Sequence, residues 1–209
     1  MARPLRMEFP GAIYHVTGRK LGNWNLENNR LFEDDRDRLR FLTKLGEKVK
    51  EFEIRLYLLT LMANHFHLVL ETPQGNLGRF MHGLSTAYTV YFNLRHGRHG
   101  HLLDGCYMAR LVEWDEYLLA LTRYVHLNPV HTKAMSRKPC RERIDYLRGY
   151  RWSSYPGYIG LCKPFEWIDG APILAQMNCA ARQRQGRYRQ YVESGLAESD
   201  EELKEAMSA

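Results

Sequence analysis

Two strand-like runs separated by only two residues restrict the fold of this chain more than any other feature. Ile54–Met62 (IRLYLLTLM) and His65–Glu71 (HFHLVLE) are both rich in apolar, β-branched and aromatic residues. Ala63-Asn64 between them has the length of a tight turn. So short a connection joins antiparallel strands, because a parallel pair needs a long crossover. The sequence therefore predicts a β-hairpin within the sheet.

One strand and one helix are predicted before this hairpin. The segment Gly11–Lys20 (GAIYHVTGRK) carries the residues typical of a strand. After the polar loop Gly22–Arg30, Asp34 or Asp35 is suited to cap a helix. Apolar residues at helical spacing then predict the buried face of that helix: Leu39, Leu42, Leu45, Val49 and Phe52.

The pattern after the hairpin predicts a second helix, a basic loop at Arg95–His101, a strand at Cys106–Glu113 and a third helix at 115–128. The apolar stripe of the second helix is Leu77, Phe80, Met81, Leu84, Tyr88, Tyr91 and Phe92. The order β-α-β-β-α-β is typical of an α+β, ferredoxin-like split β-α-β fold. We therefore expect an antiparallel sheet with two helices on one face, and the other face open for a site or a further layer.

The last quarter of the chain has a different character. Tyr150–Gly160 (YRWSSYPGYIG) is turn-rich and aromatic, and we expect it to pack back on the preceding domain. Weaker helical segments follow from Leu161, and Glu193–Ala209 carries six acidic residues against one lysine. We predict a first domain at residues 1–160 and a helical extension with an acidic tail at 161–209.

The distribution of charge points to a polyanionic partner. The formal net charge is +6. Lys133–Arg151 contains seven basic and two acidic residues, and Asn178–Val192 contains four arginines and no acid. Solvated helix faces explain any one such run equally well, but two basic blocks in one half of a small protein favour a phosphate backbone.

No apolar run approaches the roughly 20 residues that span a bilayer, and the N-terminal segment lacks the apolar core of a signal peptide. We expect a cytoplasmic protein with no membrane partner.

The histidines of the second hairpin strand are the first candidate site. Side chains alternate along a strand, so His65 and His67 share one face. The apolar residues Phe66, Leu68 and Leu70 share the opposite face. Two imidazoles at this spacing are close enough to bind one divalent ion, with a further ligand from elsewhere, although a structural or surface role explains such a pair equally well.

The third predicted helix offers that further ligand. Tyr124 and Asn128 are four residues apart and therefore lie on one helix face. The amide oxygen of Asn128 suits a hard cation, and Tyr124 offers a phenol. Tyr117 and Leu121 extend the same stripe, so a core position for Tyr124 stays open on this pattern alone.

The histidine triplet His65-Phe66-His67, followed by RYVHLNPV on a helix, resembles the HUH single-strand DNA transposases with one catalytic tyrosine. The REP-associated tyrosine transposases are the most similar group. Supporting segments lie between about Arg3 and Leu161: PGAIYHVTGRK, NHFHLVLETPQGNLGRFMHGL, YFNLRHGRHGHLLDG, YLLALTRYVHLNPV and WSSY.

This resemblance implies that residues 1–160 form a nuclease domain that cuts and rejoins single-stranded DNA at hairpin-forming palindromic repeats. It assigns His65, His67 and Asn128 to a Mg²⁺ or Mn²⁺ ion, and makes Tyr124 the nucleophile that forms a 5′-phosphotyrosine intermediate. It also implies a DNA strand transferase guided by a tetranucleotide at the foot of the hairpin.

Phosphate contacts are expected from basic residues on both sides of this motif set: Arg19, Lys20, Arg95, Arg98, Arg110, Lys133, Arg137, Lys138, Arg148 and Arg151. The stretch GCYMAR departs from the family pattern by carrying Cys106 and Met108. A DNA contact expected there is then lost or moved to Arg110.

Two other functions remain open from the sequence. A non-catalytic regulator that binds DNA hairpins would keep the basic blocks, with structural histidines. An HUH replication initiator or relaxase shares the fold but usually adds a helicase or a second tyrosine. We expect a monomer, with a dimer that exchanges tyrosine helices as the alternative, and a structural or DNA-facing His126.

Overall fold

A computed structural model of the chain describes residues 7–22, 29–104, 107–113 and 116–196. Most of the predicted loop at 22–30, Cys106 and the acidic tail beyond residue 196 lie outside these ranges. Within them, none of the helices combines the length and the apolar character that crossing a bilayer requires.

The sheet has the predicted antiparallel architecture. Its strands are β1 (Ala12–Arg19), β2 (Arg55–Leu61), β3 (His65–Thr72) and β4 (Met108–Val112), in the order β2-β3-β1-β4. The predicted hairpin is the β2–β3 pair, and β3 and β1 are the two central strands. Since helices α1 (Asp35–Glu51) and α2 (Leu77–His96) connect the strands as expected, the ferredoxin-like prediction is confirmed.

Helix α1 begins where the sequence predicts and faces the sheet with a slightly different stripe. The Asp34 side chain accepts a hydrogen bond of 3.0 Å from the backbone N–H of Asp37 and caps the helix. Leu39 is 56% exposed, so its predicted core position is wrong, and Phe41 is buried instead. Steps of three residues each fall about 60° short of a full helical turn, so Leu39 lies off the face that holds Leu45.

Helix α2 extends through His96, past the predicted start of the basic loop at Arg95. It ends at Gly97, which adopts the left-handed conformation with a φ of 60°. The predicted apolar stripe of this helix is buried, apart from the half-buried Tyr91.

A close contact between β1 and β3 aligns the two central strands. Gly18 pairs with Phe66 in the sheet register, and the Phe66 ring lies 2.3 Å from where a Cβ atom on residue 18 would stand. Phe66 is fully buried in the core between the sheet and the two helices, where its ring centroid is 4.9 Å from that of Phe41. Glycine at residue 18 therefore makes room for the ring that anchors β3.

The opposite face of the sheet, expected to be open or covered by a further layer, carries a second hydrophobic core. It is built on α3 (Glu116–Leu127), a 3₁₀ turn at Asn128–Val130, and α8 (Ala181–Ser194). Shorter helices surround it: α4 (Lys133–Ser136), α5 (Cys140–Arg148), α6 (Tyr155–Tyr158) and α7 (Ala171–Ala175). Ile173, Tyr188 and Val192, all beyond residue 160, lie in this same core.

The predicted packing of the WSSY segment against the domain is confirmed, and it occurs at the edge of β2. The backbone N–H of Leu61 donates to Trp152 O at 2.8 Å, and the N–H of Ser154 donates to Leu59 O at 3.0 Å. Thr60, between these two strand residues, donates through Oγ1 to Val125 O at 3.0 Å. The segment therefore satisfies backbone hydrogen-bonding groups of the edge strand β2. Thr60 connects β2 to α3 through its hydrogen bond.

His126 is a structural residue of the second core. Its side chain is fully buried, with Nε2 2.9 Å from Ser154 Oγ and Nδ1 2.8 Å from Tyr188 Oη. Burial lowers the pKa of His126 from 6.5 to about 3. The neutral imidazole thus links α3 to α6 and α8.

We predict that Gly18→Ala destabilises the fold, because the added methyl group would overlap the Phe66 ring in a packed core. Overpacking of this kind costs about 1–3 kcal/mol. Urea unfolding of Gly18→Ala should show this loss, whereas Gly186→Ala, where a Cβ meets nothing within 4 Å on helix α8, should not. Equal stability of Gly18→Ala and the parent chain would contradict the packing argument.

We also predict a pH dependence of stability from His126. Above pH 6.5 both the folded and the unfolded states hold it neutral. Below pH 6.5 only the unfolded state takes up the proton until about pH 3, so the free energy of unfolding falls by roughly 1.4 kcal/mol per pH unit from this group. His126→Gln should flatten the measured slope between pH 4 and 6. An unaltered slope in His126→Gln would refute the assignment.

Candidate active site

The register of β1 against β3 collects polar side chains on the face of the sheet below α3. His67 pairs with Thr17 and His65 pairs with Arg19, so these four side chains point to the same side. His15, two residues before Thr17, belongs to this set as well. Phe66 points to the other core, as predicted, and both histidines of the triplet are thereby directed away from α1 and α2.

Hydrogen bonds orient both imidazoles of the triplet through Nδ1. His67 Nδ1 lies 2.9 Å from His15 Nε2 and 3.3 Å from Thr17 Oγ1, and His65 Nδ1 lies 2.7 Å from Asn64 Oδ1. The Asn64 oxygen can only accept, so His65 donates through Nδ1 and its Nε2 atom keeps a lone pair. Where His67 Nδ1 likewise donates to His15 Nε2, the Nε2 atom of His67 keeps a lone pair as well. The His67 Nε2 atom is buried and has no hydrogen-bond partner in the described part of the chain.

The electrostatic environment keeps these histidines neutral. Burial, and then the charge of Arg19, lowers the pKa of His65 to about 4. Burial lowers the pKa of His67 well below 6.5, and His65, His15 and Arg19 act in the same direction, while Asn128 opposes them. Neutral imidazoles are the form that binds a metal ion.

Tyr124 and Asn128 lie directly over the histidines of the same chain. The Tyr124 ring is 6.0 Å from the His67 ring and 6.5 Å from the His15 ring, centroid to centroid, and edge-on to both. Asn128 donates through Nδ2 to Tyr124 O at 2.9 Å, which leaves its amide oxygen as an acceptor. The structure therefore brings together all four residues that the sequence motifs single out.

These residues fit a divalent ion as a mixed nitrogen and oxygen set. The unpartnered Nε2 of His67 and the adjacent His65, whose ring centroid is 4.9 Å away, supply two nitrogens. In the described ranges no group of three or more His, Cys, Asp or Glu side chains is arranged to hold a metal. The amide oxygen of Asn128, a ligand type that hard cations accept, is the predicted third ligand.

His15 and Thr17 belong to the site although the sequence motifs do not identify them. Alternation along Gly11–Lys20 places His15 and Thr17 on one strand face, which is a signal that the sequence contains. What the sequence lacks is the register that sets this face beside His67. His15, stacked on His67 with an interplanar angle of 16°, is thus a neighbour of the metal-binding candidates.

Two predicted DNA-contacting residues flank the site. Arg19 and Arg110 are exposed, and Arg110 pairs with His15 across β1 and β4. Both charges oppose the rise in the pKa of Tyr124 that burial causes, although the Asn128 side chain opposes it more strongly. Their positions agree with a site for an anion.

The other predicted DNA contacts are distributed away from the histidines, and many are engaged within the chain. Arg95 forms ion pairs with Asp34 and the buried Asp37, and Arg148 makes two hydrogen bonds of 2.8 Å to Glu193. The remaining predicted residues fall into three groups: Lys20 is buried near Glu33, Arg98 and Arg151 lie over aromatic rings, and Lys133, Arg137 and Lys138 are exposed. Contact of these residues with DNA stays a prediction.

Comparisons with known proteins bear on the fold and the family of the chain. The fold is similar to that of a solved REP-associated tyrosine transposase bound to a REP hairpin, with a TM-score of 0.60 and 9% identity over 82% of this chain and 94% of that one. At this identity the likeness concerns the fold. No curated protein sequence matches the chain. A family model described as "Transposase IS200 like" matches residues 24–128, half of the sequence, and the chain therefore belongs to the IS200-like transposase family.

Proposed function

We propose that this chain is a metal-dependent DNA strand transferase that cuts and rejoins single-stranded DNA through Tyr124. The observation that supports it most is the buried, unpartnered Nε2 atom of His67 beneath the ring of Tyr124. A polar nitrogen buried without a partner costs stability. Such an atom is explained by a ligand that binds there.

Tyr124 is the nucleophile in this proposal. Its hydroxyl loses a proton, its oxygen forms a bond to the phosphorus of a phosphodiester, and the bond from phosphorus to the 3′ oxygen breaks. The 3′ oxygen takes up a proton and leaves as a hydroxyl, while the 5′ phosphate stays on the tyrosine. Attack by another 3′ hydroxyl reverses these changes and joins two strands without ATP.

His65, His67 and Asn128 would hold a Mg²⁺ or Mn²⁺ ion. When bound, the ion supplies Lewis-acid polarisation of the phosphate and neutralises charge that develops during attack. His15 and Thr17 orient His67 through Nδ1, so its Nε2 points in one fixed direction. Arg19 and Arg110 would attract the strand to this face.

The phenol of Tyr124 is a weak nucleophile until its proton is removed. Burial raises the pKa of Tyr124 above 10, and the Asn128 side chain, Arg19 and Arg110 oppose that rise. Exclusion of water by α3 therefore raises the pKa of Tyr124, while the cationic side chains nearby stabilise the phenolate and lower it.

The proposed substrate is DNA at hairpin-forming palindromic repeats, as in the REP-associated group. Since Tyr124 lies over the histidines of its own chain, one chain holds every proposed catalytic group. This supports action as a monomer. A non-catalytic regulator of the same hairpins is the competing function, and an adduct assay separates the two.

We predict that the parent chain forms an SDS-stable covalent adduct with hairpin oligonucleotides in the presence of Mn²⁺. The probe is a labelled pool of hairpins with randomised single-stranded feet. Tyr124→Phe keeps the ring contacts but lacks the attacking oxygen, so adduct formation should fall by about 1,000-fold or more. Thermal unfolding should be unchanged in this variant.

An adduct that persists in Tyr124→Phe would refute the assignment of the nucleophile. Hairpin binding with no adduct under Mg²⁺ or Mn²⁺ would instead favour the regulator.

We predict that His15→Ala weakens binding of Mn²⁺ by about 10- to 100-fold, because His67 loses the partner that orients it. Electron paramagnetic resonance of free Mn²⁺ measures this without any DNA, and adduct formation should recover at high Mn²⁺ concentration. His82→Ala, on the exposed surface of α2, serves as the control. Equal affinities in His15→Ala and the parent chain would show that His15 does not position His67.

A further inference from the structure

An aromatic cleft opens beside His65. Its volume is about 360 Å³, within the usual range of about 300–1,000 Å³ for small-molecule sites. His65 and Asn64 form one wall, and Pro129, which follows the proposed ligand Asn128, forms another. The cleft is therefore continuous with the candidate active site.

Three aromatic side chains line the cleft: Tyr146, Tyr150 and Trp152. Tyr150 is held by a hydrogen bond of 2.6 Å from its hydroxyl to Leu61 O, and Trp152 is only 9% exposed. Tyr146 differs from both, because 45% of it is exposed. Its ring centroid lies 5.6 Å from that of Tyr150. The fixed ring of Tyr150 therefore packs beside the accessible ring of Tyr146.

Two arginine side chains, both ion-paired with Asp35, border this aromatic surface. Arg38 lines the cleft with its guanidinium 5.4 Å from the Trp152 ring centroid, and its Nε atom is buried without a hydrogen-bond partner among the described residues. Arg151 lies 4.4 Å from the same ring. Aromatic rings interleaved with arginine are the composition that stacks unpaired bases and pairs with their phosphates.

We propose that this cleft binds one unpaired nucleobase of the DNA strand, stacked on Tyr146, next to the strand phosphate that lies at the candidate active site. The inference rests on the proposed binding of single-stranded DNA at that site. A base is the occupant that fits, because it presents a flat π-face to Tyr146 and its neighbouring phosphate reaches the site that His65 shares with the cleft. Helix α4 begins directly after the cleft residue Thr132, and exposed Lys133 on this helix and Arg137 just after it are available for the continuing backbone.

Photocrosslinking tests the position of the base. The probe is a 12-residue oligothymidylate with one central 5-iododeoxyuridine, bound to the full chain in EDTA so that no strand is cut. Trypsin separates the rings, because Ile144–Arg148 contains Tyr146 and Gly149–Arg151 contains Tyr150. We expect the crosslink on one of these two peptides.

Binding of the same oligonucleotide, followed by fluorescence anisotropy, tests the contribution of the ring. Tyr146→Ala should raise the Kd by about 5- to 100-fold, the range typical for loss of one base stack. Tyr146→Phe keeps the ring and should bind like the parent chain. Phe9→Ala, a second aromatic side chain with 45% exposure but outside the cleft, is the matched control and should also bind normally.

The outcomes separate this inference from the proposed strand transfer. A crosslink on Ile144–Arg148 or Gly149–Arg151, with weaker binding by Tyr146→Ala, supports the cleft even if no covalent adduct at Tyr124 ever forms. Crosslinks only on other peptides, or an unchanged Kd in Tyr146→Ala, overturn the cleft even if the adduct forms. Failure of the oligonucleotide to bind at all overturns the cleft, whereas the strand transfer is decided by the adduct assay on hairpins.

Discussion

The contact of Phe66 with Gly18 is the constraint on which the site depends. The Phe66 ring occupies the space that a side chain on residue 18 would need, and this holds β1 and β3 in one register. Because side chains alternate along a strand, a shift by one residue would turn every polar group of the site into the apolar core. The residue between the two histidines thus decides where both of them point.

The register also explains how two ordinary strands produce a specialised polar face. His15, Thr17 and Arg19 from β1 meet His65 and His67 from β3. Each imidazole of the triplet is oriented through Nδ1 by a neighbour, so the Nε2 atoms are left for another ligand. Burial of these groups is tolerated because hydrogen bonds satisfy nearly all of them, and the exception is the Nε2 atom of His67.

The second hydrophobic core holds the helix that covers the site. Thr60, Ser154 and His126 join β2, α6 and α3 through buried hydrogen bonds, so α3 crosses the sheet at one fixed place. Tyr124 and Asn128 stand over the histidines as a consequence. The chain beyond residue 160 takes part in this, since Tyr188 of α8 contacts His126.

Sequence patterns predicted the order of the elements, the histidine face and the pairing of Tyr124 with Asn128, because each follows from a local period of two or of about 3.6 residues. His15 and Thr17 were not predicted as site residues, because their contact with His67 depends on the register of β1 against β3. The contacting residues are 50 or more positions apart in sequence. The ion pairs of Arg95 with Asp34 and Asp37 likewise depend on how α1 packs on α2. Local periodicity predicts neither the register of β1 against β3 nor the packing of α1 on α2. It also does not predict the cleft beside His65, because that cleft forms between segments distant in sequence.

Anomalous X-ray scattering from crystals of the chain soaked in Mn²⁺ would test the proposed metal site, since it locates the ion without any assumption about activity. We predict one strong peak within coordination distance of Nε2 of His67 and Nε2 of His65, next to the amide oxygen of Asn128. A well-occupied manganese peak elsewhere with none at these atoms would contradict it.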